Sequence, residues 1–427
     1  METNDLHIAL PPSKSLSNRW LILNHLLGGR FLLRNLSDSD DTVLMQTLLG
    51  QLKRGHTHVF NCGNAGTVAR FMLAVLAITP GQWTLDGDER LRQRPMAPLI
   101  DALRSMGCHI QCLGEEGHLP LLITGFTPQH KMAEVDPTNS SQFASAMLLI
   151  GPILPLGLTL TLTDRASSRP YINMTLHVLS QAGIHTSVSA NQRVYRVDPY
   201  MPTGSDIQTS QPSRKSGRST QIIIERDWSS ASYFYAAAAL FPHCRLRMQG
   251  LSLSSSCQGD KVVAEIFERL GVVTHEVHSP YRRNMHSITI EGKGDYDESF
   301  EYNFIDCPDL MPTVLVTCAA LGIRARLKGV KNLRIKESDR IMALTEELGK
   351  MGCHIAHTAT EVRLNPSTLV MPSQPIEVHN DHRIAMAFGI LSLRYPDLQI
   401  QNPESVNKSF PLFWQQLSQL KKIATKA

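Results

Sequence analysis

Apolar and polar positions along the chain alternate between two periods, and the alternation repeats. A stretch opening on small or polar residues runs into an apolar helix, turns, and enters a short strand. An amphipathic helix follows, with apolar residues three or four apart and glycine at its end. Six such openings can be marked: Ser13, Gly63-Asn64-Ala65-Gly66-Thr67, Asn139-Ser140-Ser141-Gln142, Asp227-Trp228-Ser229-Ser230, Pro308-Asp309-Leu310 and Asn380-Asp381-His382-Arg383. The strands expected after them are Arg30 to Leu33, Gln82 to Leu85, Leu158 to Leu162, Arg245 to Met248, Arg324 to Leu327 and Leu398 to Ile400. Amphipathic helices ending at Gly107, Gly183, Gly271 and Gly352 complete the second through fifth copies. The run Leu6 to Leu10 has no helix of its own, and the sixth copy lacks a last strand, so the run is expected to complete that copy.

This arrangement predicts an α/β fold of two domains with three helix-and-strand units each. The boundaries are expected near Pro11-Pro12 and Glu225-Arg226, giving one domain over 12–225 and another over 1–11 plus 226–427. The Ser-, Pro- and Lys/Arg-rich stretch from Met201 to Gln221 separates the third unit from the fourth. Three such units do not form a conventional open sheet, so small sheets around inward helices are expected.

Composition adds little to this picture and removes some alternatives. The 427 residues are 42% hydrophobic and 19% charged, as in an ordinary globular protein. No apolar run has bilayer-spanning length, and the acidic opening with Glu2 and Asp5 is unlike a signal peptide, so a cytoplasmic location is expected. Net charge is +4, and the one tight basic run is Arg214 to Arg218, which argues against a nucleic-acid-binding face. Eight cysteines without a Cys-x-x-Cys pair suggest free thiols.

The candidate chemistry sits at the unit openings. Helix starts offer unpaired N–H groups and partial positive charge, and cations accompany them: Lys14, Arg19, Arg70, Arg94, Lys336, Arg340, Arg383 and Lys408. Lys336 and Arg340 are four apart where a helix begins, so a shared face binding an anion is expected. Gly63 to Thr67 suggests a phosphate loop but lacks the ending of a nucleotide P-loop. Asp309 reads as a cap or as a base among cations, and His382 as a packed, hydrogen-bonded histidine.

Taken in order, SKSLSNR, GNAGT, GDERLRQRP (Gly87 to Pro95), SSQF, SSRPY (Ser167 to Tyr171), DWSSASYF, PDLMP, IKESDRI and NDHRIAMAF resemble the motif set of the 5-enolpyruvylshikimate-3-phosphate synthases over nearly the whole chain. The resemblance implies the inside-out α/β barrel of the enolpyruvyl transferases. It also implies transfer of the enolpyruvyl group of phosphoenolpyruvate to the 5-hydroxyl of shikimate 3-phosphate, with release of phosphate. By the same resemblance Lys14, Ser15, Arg19, Ser140, Ser141, Gln142, Ser168, Asp309, Asn332 and Lys336 would hold shikimate 3-phosphate. Lys14, Gly66, Arg94, Gln142, Arg340, Arg383 and Lys408 would hold phosphoenolpyruvate. Asp309 and Glu337, with Lys336 assisting, match the proton-transfer groups. No metal, cofactor, nucleic acid or membrane is implied, and a monomer is expected.

The sequence departs from the family's usual pattern at Pro12, at Phe71 (often Pro), at Arg226 (often Gly) and in a longer segment over 203–220. The two alternatives are a UDP-N-acetylglucosamine enolpyruvyl transferase, which would have a different opening motif and carry a reactive-loop cysteine, and a nucleic-acid-end-processing protein of related fold.

Overall fold

A computed structural model describes residues 5–55, 57–125, 130–201, 220–278 and 286–424. The chain falls into two compact units. One comprises the residues up to Lys14, Ser37–Asp40 and Glu225 onward; the other comprises Ser15–Leu36 and Asp41–Ile224. Lys14 therefore belongs with the later half of the chain. Its neighbourhood explains this: Ser13 N–H donates to the Glu225 carbonyl (2.8 Å), and Pro12 bridges Arg226, whose guanidinium reaches the Leu10 carbonyl (2.7 Å). The basic segment 203–219 lies outside the described residues.

The unit from Ser15 carries two four-stranded sheets of one design. Val59–Asn61, Gly81–Asp86, His109–Cys112 and Leu121–Gly125 lie in the spatial order first, second, fourth, third. Met132–Val135, Leu158–Leu162, Thr186–Val188 and Val194–Val197 repeat that order. In each the first pair is parallel, joined through a helix, and the remainder antiparallel. The first unit's sheet is reduced to Leu32–Arg34 beside Gln221–Ile223. The helices after the first strands, Gly66–Ile78 and Ser141–Ile150, are almost wholly buried, whereas Ala97–Ser105 and Arg169–Gln181 bury one side.

The other unit follows the same plan. Ser299–Asn303, Arg324–Lys328, Ile355–His357 and Glu361–Leu364 form one sheet. In the second, Leu6–Ile8 pairs in parallel with Arg245–Gln249, which is flanked in turn by His286–Gly292 and Val272–His278. This corrects the expectation for Leu6 to Leu10: the strand completes the fourth copy, not the sixth. The reason is local. The chain enters the helix Trp228–Leu240 directly from the crossover at Glu225, so that copy lacks the strand preceding its helix, and Leu6–Ile8 takes that place. Among the described residues the sixth copy keeps only a parallel bridge between Ile376 and Ile400.

Three helices, Trp228–Leu240, Met311–Leu321 and His382–Leu391, share one core with Ile8, Leu10, Phe413 and Leu417. All residues of the first and third are buried, which accounts for the absence of a polar face in their sequences. Their openings are thereby fixed by packing.

Candidate active site

In the unit containing the chain's later half, the Asp339 carboxylate accepts from the backbone N–H groups of Ile341 and Met342 (both 3.1 Å) and caps the helix Arg340–Lys350. The helix thus begins at Arg340. Lys336 precedes it on extended backbone (φ −86°, ψ −157°), so the two cations do not share a helix face, contrary to the sequence expectation.

Arg340 is buried, its side chain only 1% exposed, and is met by three carboxylates. Its Nε donates to Asp381 (2.7 Å), and its terminal nitrogens to Asp309 (3.0 Å) and Glu337 (3.0 Å). Arg383 donates from Nη2 to the other oxygen of Asp309 (2.6 Å). Asp309 therefore bridges two guanidiniums, one on each oxygen, from the turn Pro308–Leu310. It caps no helix. Burial alone would raise its pKa, but Arg383, Lys336 and Arg340 outweigh burial and hold it well below the usual carboxylate range. Burial likewise works against the charge on Arg340, and Asp381, Glu337 and Asp309 more than restore it.

Asp381 organises this cluster. It is fully buried, caps His382–Leu391 by accepting from Arg383 N–H (2.9 Å), and also accepts from Ser338 Oγ (3.1 Å). His382 is packed as expected but not hydrogen-bonded: neither ring nitrogen has a partner among the described residues. Burial, reinforced by Lys14 and Arg383, pushes its pKa well below the ordinary value, so the ring is neutral. Behind Asp309, burial and then repulsion from Asp309 raise Asp260 to about 7, although the Ser229 hydroxyl donates to it. Burial raises the Tyr233 hydroxyl to about 12. Asn332 lies buried in the turn Lys331–Ile335, and Lys408 ends the turn Pro403–Lys408.

The other unit gathers a second set. Gly66 is the first residue of its helix, and a Cβ there would stand 2.5 Å from Arg70 Nη1 and 2.7 Å from Arg94 Nη2. The loop thus lets two buried guanidiniums approach the backbone. Gln142 joins them: its Oε1 accepts from Arg70 Nη1 (2.9 Å) and its Nε2 donates to Thr67 Oγ1 (2.9 Å). Ser140 caps the helix Ser141–Ile150 by accepting from Gln142 N–H (3.2 Å). Arg70 also lies over the Phe143 ring at 5.2 Å.

Arg19 is 2% exposed and donates to Thr175 Oγ1 (2.8 Å), Ser145 Oγ (3.2 Å) and the carbonyls of Ser15 (2.9 Å) and Tyr171 (3.0 Å). Phe71, the departure noted above, packs beneath its guanidinium at 5.5 Å. Ser168 precedes Arg169–Gln181 in left-handed backbone (φ 55°) and makes no side-chain cap.

The structure therefore brings together Asp309, Glu337, Arg340 and Arg383 in one unit, and Gly66, Arg94 and Gln142 in the other. Sequence reasoning left Asp381, Asp260, Tyr233 and Thr67 out of the site, and noted Arg70 only as a cation. Asp381 and Thr67 adjoin the motif residues His382 and Gly66, and adjacency was the signal available. The chemistry on offer is the binding of two anionic groups by paired guanidiniums, with carboxylates beside them for proton transfer.

Residues 50–417 match the family model described as EPSP synthase (3-phosphoshikimate 1-carboxyvinyltransferase). A 3-phosphoshikimate 1-carboxyvinyltransferase of Bacteroides fragilis is 40% identical over 96% of this chain and 94% of its own length. Among solved structures, EPSP synthase from Acinetobacter baumannii superposes with a TM-score of 0.70 at 20% identity, covering 97% of this chain and 96% of that one. The enolpyruvyl transferase NikO from Streptomyces tendae has a TM-score of 0.66 at 13% identity, covering 98% and 94%. The last two likenesses concern the fold.

Proposed function

The chain belongs to the EPSP synthase family, and from that premise we propose how its own residues carry the transfer of an enolpyruvyl group from phosphoenolpyruvate to the 5-hydroxyl of shikimate 3-phosphate. Lys14, Ser15, Arg19, Ser140, Ser141, Gln142, Ser168, Asn332 and Lys336 hold shikimate 3-phosphate. Gly66, Arg94, Gln142, Arg340, Arg383 and Lys408, with Lys14, hold phosphoenolpyruvate.

The observation that carries the mechanism is the Asp309 bridge to Arg340 and Arg383. With two guanidiniums on its oxygens, Asp309 is a weak base. An incoming carboxylate or phosphate competes for those guanidiniums and frees the Asp309 lone pairs when the 5-hydroxyl arrives. Asp309 then accepts the hydroxyl proton as the oxygen attacks C2 of phosphoenolpyruvate, while Glu337, which first takes up a proton from solvent, delivers it to the methylene carbon to make a methyl. In the second half the bond from C2 to the phosphate oxygen breaks, Asp309 passes its proton to the departing phosphate, and Glu337 takes a proton back from the methyl, restoring the vinyl group. Lys336 stabilises the charges on both carboxylates. The cations hold the substrates in reacting geometry.

The enzyme works in this reading as a cytoplasmic monomer on small molecules alone. Among the described residues no helix is long and apolar enough to cross a membrane. Phosphate release measured with phosphoenolpyruvate and either shikimate 3-phosphate or UDP-N-acetylglucosamine tests the assignment. Release with the shikimate ester only is expected; release with the nucleotide sugar only overturns it.

A further inference from the structure

One group of titratable side chains lies outside the site just described. Glu347, on the helix opened by Arg340, is fully buried. Its carboxylate accepts from Lys350 Nζ at both oxygens (2.8 Å each), from the backbone N–H of Glu377 (2.9 Å) and from His379 Nε2 (3.2 Å). Glu346 Oε2 stands 4.0 Å from the same ring nitrogen. Two carboxylates and a histidine of this kind could suit a cation, but the Lys350 ammonium already supplies the countercharge.

The segment held this way is unusual in its backbone. His379 (φ 51°) and Asn380 (φ 53°) are consecutive left-handed residues, neither of them glycine. Such conformations cost energy and persist where surrounding contacts over-determine them. The fully buried Val378 closes the turn by accepting from Asp381 N–H (2.8 Å). The next residue in line is Asp381, which clamps Arg340 and starts the helix bearing Arg383.

We propose that Glu347 and His379 are positioning residues, which brace the left-handed turn and thereby set Asp381, Arg340 and Arg383 for phosphoenolpyruvate. This rests on the binding roles proposed above. The brace spans one helix: Arg340 at its first residue enters the anion site, and Glu347 further along ties down the segment that supplies Asp381. The hydrogen bond to Glu347 raises the His379 pKa against the effect of burial, with Glu377 and Glu346 adding to it. Glu347 is held below its ordinary value: burial opposes this, and His379 and Lys350 prevail. The charges facing His379 are thus Glu346 and Glu347 from the helix and Glu377 from its own segment, while Lys350 shares Glu347. The imidazolium form adds a charge attraction to this contact, and that added attraction is lost as pH rises through a value above 6.5, while the neutral Nε2–H tautomer keeps the hydrogen bond.

The test uses the full chain. Phosphoenolpyruvate is varied at saturating shikimate 3-phosphate from pH 6 to 9, each variant being compared with wild type so that ionisation of the substrate cancels. His379→Asn tolerates left-handed backbone but removes the cation. It should raise KM for phosphoenolpyruvate about threefold at pH 6, as expected for one partly exposed ion pair, and the ratio to wild type should narrow toward pH 9. kcat should stay within about twofold, since the residue acts through binding geometry. His379→Lys, with a cation that does not titrate here, should restore the low KM at pH 6 and keep it at pH 9. Independently, the His379 ring followed by NMR should titrate above the ordinary value in wild type and fall back toward it in Glu347→Gln. A KM ratio of one at every pH, a pH-independent loss of kcat and thermal stability together, or a ring titration unmoved by Glu347→Gln overturns the brace. If wild type turns over neither substrate pair, the functional reading fails, and the ring titration alone decides whether the brace exists.

Discussion

Gly66→Ala isolates the packing of guanidiniums against the glycine loop. The added methyl would lie 2.5 Å from Arg70 Nη1, 2.7 Å from Arg94 Nη2 and 2.8 Å from Arg94 Cζ. An ordinary contact is about 3.5 Å, so each tip must retreat by about 1 Å. Both atoms are ends of flexible side chains, so the fold survives. Arg70, however, is committed to Gln142 Oε1 and to the Pro95 carbonyl, and its retreat loosens both. A charged hydrogen bond contributes about 1.5–3 kcal/mol, which sets the expected loss at about 10–100-fold in kcat/KM for phosphoenolpyruvate. Helix propensity pulls the other way, by at most about 1 kcal/mol for alanine over glycine, so thermal stability should hold or rise slightly. Initial-rate phosphate release with phosphoenolpyruvate varied, alongside thermal unfolding, separates the two effects. Longer anionic mimics of the substrate should lose more than the substrate itself. An unchanged KM and unchanged inhibition in a folded variant would refute the reasoning and remove Gly66 from the phosphate seat.

Three further outcomes are expected. Glu337→Gln should bind both substrates yet lose turnover and the incorporation of solvent deuterium into the vinyl group; exchange at the wild-type rate would reduce Glu337 to a counter-charge for Arg340. Asp381→Asn removes the charge of a buried pair and should cost about 3–5 kcal/mol in urea unfolding, whereas a cost under about 1 kcal/mol would show that Asp309 and Glu337 alone satisfy Arg340. Asp260 is raised from 3.8 to about 7 in the folded chain, so folding takes up a proton between those values and wild-type stability falls as pH rises through that window. Asp260→Asn cannot ionise and should gain on wild type from pH 4 to pH 8; parallel stability curves for the two proteins would contradict the raised value.

The repeat was legible because helices such as Trp228–Leu240 and His382–Leu391 are buried on all sides and carry no polar face, and strands such as Arg245–Gln249 that follow such helices are short. Strand partners were less legible. Leu6 to Leu10 could be recognised as a strand without a unit, yet nothing in its residues states that it pairs with Arg245–Gln249. Of the site, the motif residues at helix openings could be named from one stretch each. Their neutralisation could not: Arg340 meets Asp381 and Asp309, and Arg70 meets Gln142, across long separations that local pattern does not encode. Lys336 and Arg340 show the converse. Spacing of four implied one helix face, but the cap at Asp339 breaks the helix between them, and capping overrode periodicity.

The pairing of Leu6 with Leu246 also sets an order of events during synthesis. At about 5–20 residues per second, the early strand waits on the order of 10–50 seconds before its partner leaves the ribosome. Over that interval the sheets built from Val59 to Val197 have every strand they need, while the strand Leu6–Ile8 stays an unpaired edge open to other chains. Its shortness, three residues with His7 exposed between Leu6 and Ile8, limits that hazard. A nascent chain stalled before residue 245 should therefore protect the amides of the middle sheets from exchange and leave those of residues 6–8 unprotected.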